Sequence, residues 1–240
     1  MAWLEAVRPD VLCLQETKVL DDIFPTLAFK GLGYDVVMLG QKAYNGVAIA
    51  STRPLSNVQR GFDDPEFDQE GARVVGAEVA GIPIYSVYVP NGKVVGSPSY
   101  EMKLRWLERL RRLLETRHAA NANLAVCGDF NVAVDDRDVH DPWFWKTQVL
   151  FHTSARQALE QFCNTTLVDT FRLHHEQGGL YSWWDYRRGA LRKNEGLRID
   201  YVFASQALAK RCTKAWIDPE PRKKDNPSDH TPVLATFDIP

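Results

Sequence analysis

The stretch Leu124-Ala125-Val126-Cys127-Gly128-Asp129-Phe130-Asn131 decides the fold. Four apolar residues run without polar alternation into a Gly-Asp-x-Asn turn, as expected of a strand buried on both faces that ends at a polar rim. The same pattern recurs on either side of it. Leu12-Cys13-Leu14 runs into Gln15-Glu16-Thr17-Lys18, and Tyr85-Ser86-Val87-Tyr88-Val89 runs into Pro90-Asn91-Gly92. Towards the C-terminus, Arg198-Ile199-Asp200-Tyr201 opens one strand and Ser228-Asp229-His230 precedes another. Strand ends converge at the rim of a sandwich, so four carboxylates, two Asn, one Tyr and one His are expected to share a pocket.

Seven apolar runs read as strands: Val11 to Leu14, Gly46 to Ser51, Val74 to Val79, Ile84 to Val89, Leu124 to Cys127, Ile199 to Ala204 and Val233 to Phe237. Their shortness and flanking turn signals point to buried strands, and this many central strands imply two packed sheets. Helices are expected outside them. Ser97 caps one that runs to about His118, with Pro98 at its first position and Leu104, Leu107, Leu110 and Leu114 on its apolar face. A second covers Ser154 to Phe162, with Ala155, Ala158, Leu159 and Phe162 turned inward. The expected fold is α/β, a two-layer β-sandwich flanked by helices, with residues 1–240 forming a single domain. The irregular stretch Asp135 to Thr153 carries Trp143, Phe144 and Trp145, which either serve function or anchor the loop to the core.

With 45% apolar and 25% charged residues over 240 positions, the chain can bury a continuous core, which argues against disorder. A net charge of −2 argues against a protein that coats nucleic acid or anionic membrane through bulk charge, so any DNA contact must be local. Two stretches are basic: Arg187 to Arg198 holds five Lys/Arg against one acid, and Lys210 to Lys224 holds six against two. Each is a DNA contact or merely a solvated face. Cys13, Cys127, Cys163 and Cys212 are far apart, without a C-x-x-C pair or histidines at zinc-ligand spacing. Neither a disulfide framework nor a zinc site is expected. No run approaches the roughly eighteen apolar residues of a membrane span, and no signal peptide opens the chain, so a cytoplasmic enzyme is expected.

The predicted rim suits phosphodiester cleavage. An all-oxygen carboxylate set without a histidine pair favours Mg²⁺ or Mn²⁺ over zinc, and a carboxylate base can activate the attacking water. Each piece alone has a plainer alternative. A Glu after an apolar strand is usually a solvated strand end, Gly-Asp-x-Asn is a common turn, and Ser-Asp-His can cap a strand entry. Asp200 can cap a neighbouring loop. The ordered combination carries the argument.

In order and spacing, these blocks resemble the exodeoxyribonuclease III and AP endonuclease family across nearly the whole chain. The blocks are Leu14-Gln15-Glu16-Thr17-Lys18, Asn45-Gly46-Val47-Ala48, Gln69-Glu70-Gly71 with Arg73, Tyr88-Val89-Pro90-Asn91-Gly92, Gly128-Asp129-Phe130-Asn131, Leu197-Arg198-Ile199-Asp200-Tyr201 and Pro227-Ser228-Asp229-His230. Val168 to Arg172 and Trp183 to Arg187 resemble its bacterial branch. The resemblance implies a nuclease of the deoxyribonuclease-I-like fold that uses Mg²⁺, with Mn²⁺ as a substitute. It implies that Glu16 binds the metal, that Asp129 and Asn131 share that site, and that Asp229 is a further metal or site carboxylate. Asp129 is then the general base, Asn131 and His230 donate to phosphate oxygens, and Asp200 holds His230 in its working form. Tyr88 contacts the scissile phosphate or helps the leaving oxygen, and Asn91 positions the substrate.

The implied substrate is double-stranded DNA with abasic sites or blocked 3′ ends, bound by a monomer. Trp183 and Ile199 match the wall of a pocket for the base-less sugar, with Leu197 where some members carry Trp. Plain core packing is the other reading of Trp183 and Trp184. Tyr44 and Asn45 match a minor-groove loop, and Arg73, Lys93 and Arg187 are candidate phosphate contacts. The sequence departs from the family at its start. Met1 to Val7 resembles the end of the helix that follows the family's first strand, so a domain short by roughly one strand is expected. Two other activities stay open: a phosphodiesterase or phosphatase of the same fold acting on lipid or inositol phosphates, and a DNA-binding form that does not cut.

Overall fold

The apolar run Val47-Ala48-Ile49-Ala50 calls for neighbours on every side, and it lies at the centre of a three-stranded antiparallel sheet with every residue buried. The structure, a computed structural model, describes residues 1–119, 122–165 and 167–239, and of residues 163–165 the backbone only. The chain forms two compact units: Met1–Tyr88 with Asn123–Gly128, and Val89–Ala122 with Asp129–Pro240.

The first unit runs α1 (Ala2–Val7), β1 (Val11–Gln15), α2 (Thr26–Gly31), β2 (Asp35–Leu39), β3 (Val47–Ser51), β4 (Leu55–Arg60), α3 (Pro65–Asp68), β5 (Val74–Val79) and β6 (Ile82–Tyr88). It also takes in the first four residues of β7 (Ala125–Asp129). One sheet has the order β1-β3-β2, and β4, β5, β6 and β7 neighbour one another in that order in a second. The period of two along β3 explains their packing. Val47 and Ile49 face the other sheet and meet Val75 and Ala77, with Val11, Cys13, Val37, Leu39 and Leu55 around them. Ala48 and Ala50 face the opposite way, onto Leu4, Phe24, Phe29, Tyr34 and Met38 from the helical side. This is the expected sandwich with helices outside. β1 is only half-buried throughout, unlike the doubly buried strand expected there, because it has one strand neighbour in its sheet. Gly128 is required by packing: at φ 148° it lies so close to β6 that a Cβ would stand 2.0 Å from the Val87 carbonyl oxygen.

The second unit contains α4 (Pro98–Arg117), α5 (Pro142–Trp145), α6 (Thr153–Thr165), β8 (Leu167–Asp169), α7 (Ala190–Lys193), β9 (Asp200–Ser205), α8 (Gln206–Ala209), β10 (Cys212–Ile217) and β11 (Val233–Phe237). β8 pairs with β9, and β10 with β11, all antiparallel. Ser97 accepts from the Tyr100 amide and Pro98 opens α4, as its sequence predicts. Its buried face differs slightly from the expected one. Leu107, Leu110 and Leu114 are buried together with Trp106 and Lys103, whereas Leu104 is half-buried. On α6, Ala155, Leu159 and Phe162 point inward and Ala158 only partly. Phe130, Phe162 and Phe203 meet edge to face, which fixes the segment after β7 against β9 and α6. The 135–153 stretch is partly ordered by an Asp135 capping box and by α5. Trp145 anchors it, edge-on to Trp183 at 6.3 Å, while Trp143 is 78% exposed. Among the described residues, no helix is long and apolar enough to cross a membrane.

Candidate active site

In the first unit, Glu16 follows β1 with φ 52°, a left-handed conformation that Cβ sterics make costly for any residue but glycine. The turn is held by backbone bonds from Thr17 to Gly46 (3.2 Å) and from Lys18 to Asn45 (2.9 Å). The Glu16 carboxylate accepts a short hydrogen bond from the Tyr88 hydroxyl and pairs with Lys18 Nζ at 2.6 Å. Arg73 braces Tyr88: its guanidinium lies 4.8 Å from the ring centroid, and Nη1 donates to the Tyr88 carbonyl at 3.2 Å. Asn45 Nδ2 donates to Gln41 Oε1, which also accepts the Ala72 amide, both at 3.0 Å. Gly71 has φ 101°, and a Cβ there would meet both side chains at 2.3 Å. The Glu16, Asn45, Gln69 to Arg73 and Tyr88 blocks are therefore one hydrogen-bonded assembly.

In the second unit, Asp129, Asn131, Asp200 and His230 come together. Asp129 is buried, and its Oδ1 accepts the Asn131 amide at 2.8 Å while Oδ2 accepts Asn131 Nδ2 at 3.0 Å. Asn131 takes φ 50°, which Asn tolerates better than most residues. Its Nδ2 also donates to the Val89 carbonyl at 3.0 Å, and its Oδ1 accepts Asn91 Nδ2 at 3.1 Å. Both amide hydrogens of Asn131 are thus engaged, by Asp129 and Val89. His230 Nδ1 lies 2.9 Å from Asp200 Oδ2, and its Nε2 lies 3.9 Å from Asp129 Oδ2. Burial opposes charge on this ring, but Asp200 in direct contact, with Asp129 and Asp229 nearby, outweighs it and lifts the pKa from 6.5 to about 10. His230 is thus a cationic donor at neutral pH.

Asp200 and Asp229 are themselves held. Ser182 Oγ donates to Asp200 Oδ2 at 2.6 Å and accepts the Ile199 and Asp200 amides at 3.1 Å. Trp183 Nε1 donates to Asp229 Oδ2 at 3.0 Å. Trp183 also exchanges backbone bonds with Leu197, which is fully buried with Val139, Leu150, Phe151 and Ile199. Leu197 and Ile199 are core residues behind Trp183. Trp184 is core as well, with Nε1 bonded to Asn194 Oδ1 at 3.1 Å.

Of the other residues singled out, Tyr44 is 72% exposed, and Asn91 and Lys93 lie on an exposed turn. Arg187 is exposed and forms a two-pronged pair with Asp185 at 2.9 and 2.8 Å. The basic stretch from Arg187 to Arg198 is not one surface. Arg198 is 1% exposed and bound to Asp138 at 2.7 Å and Asp169 at 2.7 Å, so it is a structural ion pair. Arg222, in the second basic stretch, is buried too.

Sequence reasoning missed Ser182 and Lys103. Ser182 carried no local signal, since its role depends on the return of the Asp200 strand. Lys103 was legible: it stands four, seven and eleven positions before Leu107, Leu110 and Leu114, on the buried face of α4. Burial pulls its pKa down to about 7, against the attraction of Asp129.

A model of the Endonuclease/Exonuclease/phosphatase family matches residues 1–230. The chain belongs to this family. It is 32% identical to exodeoxyribonuclease III of Haemophilus influenzae, with 98% of this chain and 92% of that protein covered. It is 33% identical to an exodeoxyribonuclease of Bacillus subtilis, with 100% and 92% covered. An AP endonuclease from Archaeoglobus fulgidus has a similar structure, with TM-score 0.95, 40% identity and 99% and 92% of the two chains covered. A 3′ phosphatase from Neisseria, solved with product DNA hairpin, gives TM-score 0.91 at 36% identity over 99% and 93%. The α/β sandwich read from the sequence is the fold of this family.

Endonuclease/Exonuclease/phosphatase proteins depend on divalent metal, and the donors present fit one. Ligand atoms of Asp129, Asp200 and His230 lie within 4.8 Å of one another. His230, protonated and committed to Asp200, is a poor ligand, which leaves carboxylate oxygens, the donors that hard cations prefer. Both Asp129 oxygens accept hydrogen bonds from Asn131, which fixes the direction in which the carboxylate faces.

Proposed function

We propose that this chain is a Mg²⁺-dependent DNA-repair nuclease that hydrolyses the phosphodiester 5′ to abasic sites in duplex DNA. It also removes nucleotides 3′ to 5′ and cleans blocked 3′ ends, acting as a cytoplasmic monomer, with Mn²⁺ as a substitute ion. The observation that carries this reading is the row Asp129, His230, Asp200: a buried carboxylate faces an imidazolium that a second carboxylate locks in place. In such a row Asp129 can take a proton from water while the His230 imidazolium, through Nε2–H, donates to a phosphate oxygen, and Asp200 keeps it charged. The relatives support DNA as the substrate, above all the Neisseria enzyme with its product hairpin.

Asp129 is the general base, oriented by both nitrogens of Asn131. His230 Nε2–H donates to a non-bridging phosphate oxygen as charge builds there, and Asp200 keeps the ring charged and aligned. When bound, a divalent ion would neutralise phosphate charge and favour departure of the leaving oxygen. Each unit offers carboxylates suited to such an ion: Glu16 in the first, and Asp129 and Asp229 in the second, with Asn131 fixing Asp129. Tyr88 contacts the phosphate or assists the leaving oxygen. Asn91, Lys93, Arg187, Tyr44 and Asn45 contact the DNA, Trp183 walls the sugar pocket, and Arg73 acts by bracing Tyr88.

The test is a duplex carrying one abasic analogue, incubated with Mg²⁺ or with chelator, beside a duplex with a 3′-phosphate at a nick. One incision 5′ to the lesion, absent with chelator and lowered at least ~10²- to 10³-fold by Asp129→Ala, is expected. Cleavage that persists in Asp129→Ala, or hydrolysis of inositol phosphates with no attack on DNA, would overturn the reading.

A further inference from the structure

Lys103 projects from α4 with 0% of its surface exposed, and a buried ammonium without partners would cost several kcal/mol. It has partners for every hydrogen. Nζ donates to the carbonyl oxygens of Asn91 at 3.0 Å, Asn131 at 2.7 Å and Val149 at 3.0 Å. Three donors meet three acceptors, so the geometry matches the charged form with nothing left over.

The three acceptors belong to three separate segments. Asn91 lies in the turn after β6, Asn131 in the turn after β7, and Val149 in the stretch between α5 and α6. None is near another in sequence, so one ammonium ties together loops that no shared strand connects. Two of them lead directly to the candidate base. Asn131 holds both oxygens of Asp129, and Asn91 Nδ2 holds Asn131 Oδ1. Asn131 is also in the left-handed region, where its carbonyl needs a partner to keep the turn in place.

We propose that Lys103 is a positioning residue for the Asp129 carboxylate, acting through the backbone carbonyls of Asn131 and Asn91. The kinetic consequence rests on the nuclease reading above; the clamp itself does not. A Lys that merely fills the core would stabilise the unit without coupling to Asn131. A Lys that positions Asp129 loses part of its kinetic effect in Asn131→Ala, which keeps the backbone carbonyl and the amide bond to Asp129 Oδ1 but removes Nδ2 from Oδ2.

The first arm is ¹⁵N NMR of lysine-labelled wild-type protein at about pH 5.5, where the Lys103 amine is protonated. A slowly exchanging three-hydrogen ammonium signal assigned to Lys103 is expected, and its absence would overturn the clamp whether or not the protein cuts DNA. The second is a double-mutant cycle of Lys103→Met with Asn131→Ala on the abasic duplex. Lys103→Met should lower kcat about 10- to 100-fold with KM changed less than about 3-fold, and should lower it by a clearly smaller factor in the Asn131→Ala background than alone. Losses that multiply, or an unchanged kcat in folded Lys103→Met, refute the positioning role. If circular dichroism shows that Lys103→Met does not fold, Lys103→Gln, which keeps two N–H donors, enters the same cycle. A wild-type protein that shows the ammonium signal but makes no incision refutes the nuclease reading and leaves the clamp standing.

Discussion

His230 Nδ1 and Asp200 Oδ2 lie 2.9 Å apart, and Asp200 is fixed in turn by the Ser182 hydroxyl at 2.6 Å. The charge on His230 is thus set by a partner that cannot turn away. Asp200→Asn keeps the shape and removes the charge, so kcat on the abasic duplex should fall about 10²-fold or more. The His230 pKa, followed by NMR, should drop towards 6.5 in the same variant. A variant with wild-type turnover would show that the pair only stabilises the fold.

The raised pKa of His230 also predicts how stability varies with pH. A group whose folded pKa exceeds its unfolded value contributes stability that is complete below the unfolded pKa, near 6.5, and lost as pH rises through about 10. Lys103, with its pKa lowered to about 7, acts in the opposite direction over part of this window. The two are separated by comparing wild type with His230→Gln in metal-free buffer. The stability advantage of wild type should be largest at pH 6 and shrink steadily to pH 10. An advantage that stays constant with pH refutes the assignment.

Ser182 is buried and makes three hydrogen bonds through one oxygen. Ser182→Ala leaves the Ile199 and Asp200 amides and one carboxylate lone pair without that partner, at about 1–3 kcal/mol. A thermal melt should show Tm lowered by about 2–12 °C, with kcat reduced because Asp200 is looser. An unchanged Tm would contradict the hydrogen-bond pattern.

The two ends of the first basic stretch should respond differently. Arg198→Met breaks a buried ion pair and leaves Asp138 with one fewer partner, costing about 3–5 kcal/mol. Arg187→Ala removes a solvent-exposed pair and should leave stability nearly unchanged. Its effect should appear in DNA affinity at low salt and fade as salt is raised. Denaturant unfolding beside salt-dependent binding separates the two, and equal effects of both variants on stability would refute the distinction.

The central strands were legible because full burial imposes an unbroken apolar run. β3 and β5 follow from Val47 to Ser51 and Val74 to Val79, and β11, only half-buried, from the apolar residues of Val233 to Phe237. β2 carries the same signal in Val36 to Leu39, a run too short to separate from a buried helix turn by periodicity. β4, with Ser56, Asn57 and Val58 exposed, and β10, with Thr213 and Lys214 exposed, show no such run. They are strands because β5 and β11 supply their hydrogen bonds, and pairing of that kind leaves little trace in composition.

The sequence by itself determined the polar strand ends, the order of the blocks and the residue types able to handle a phosphodiester, since all of these are local chemistry along the chain. Only the tertiary structure decided which of them meet. It joined Asp129 to Asp200 and His230, 71 and 101 positions further along the chain, placed Asn131 on Asp129, and buried Leu197 and Arg198. It also turned Lys103 from one helical lysine among many basic residues into a three-way clamp. The physical reason is that a side chain's task depends on whether water or protein supplies its partners, and that is settled by packing between segments distant in sequence.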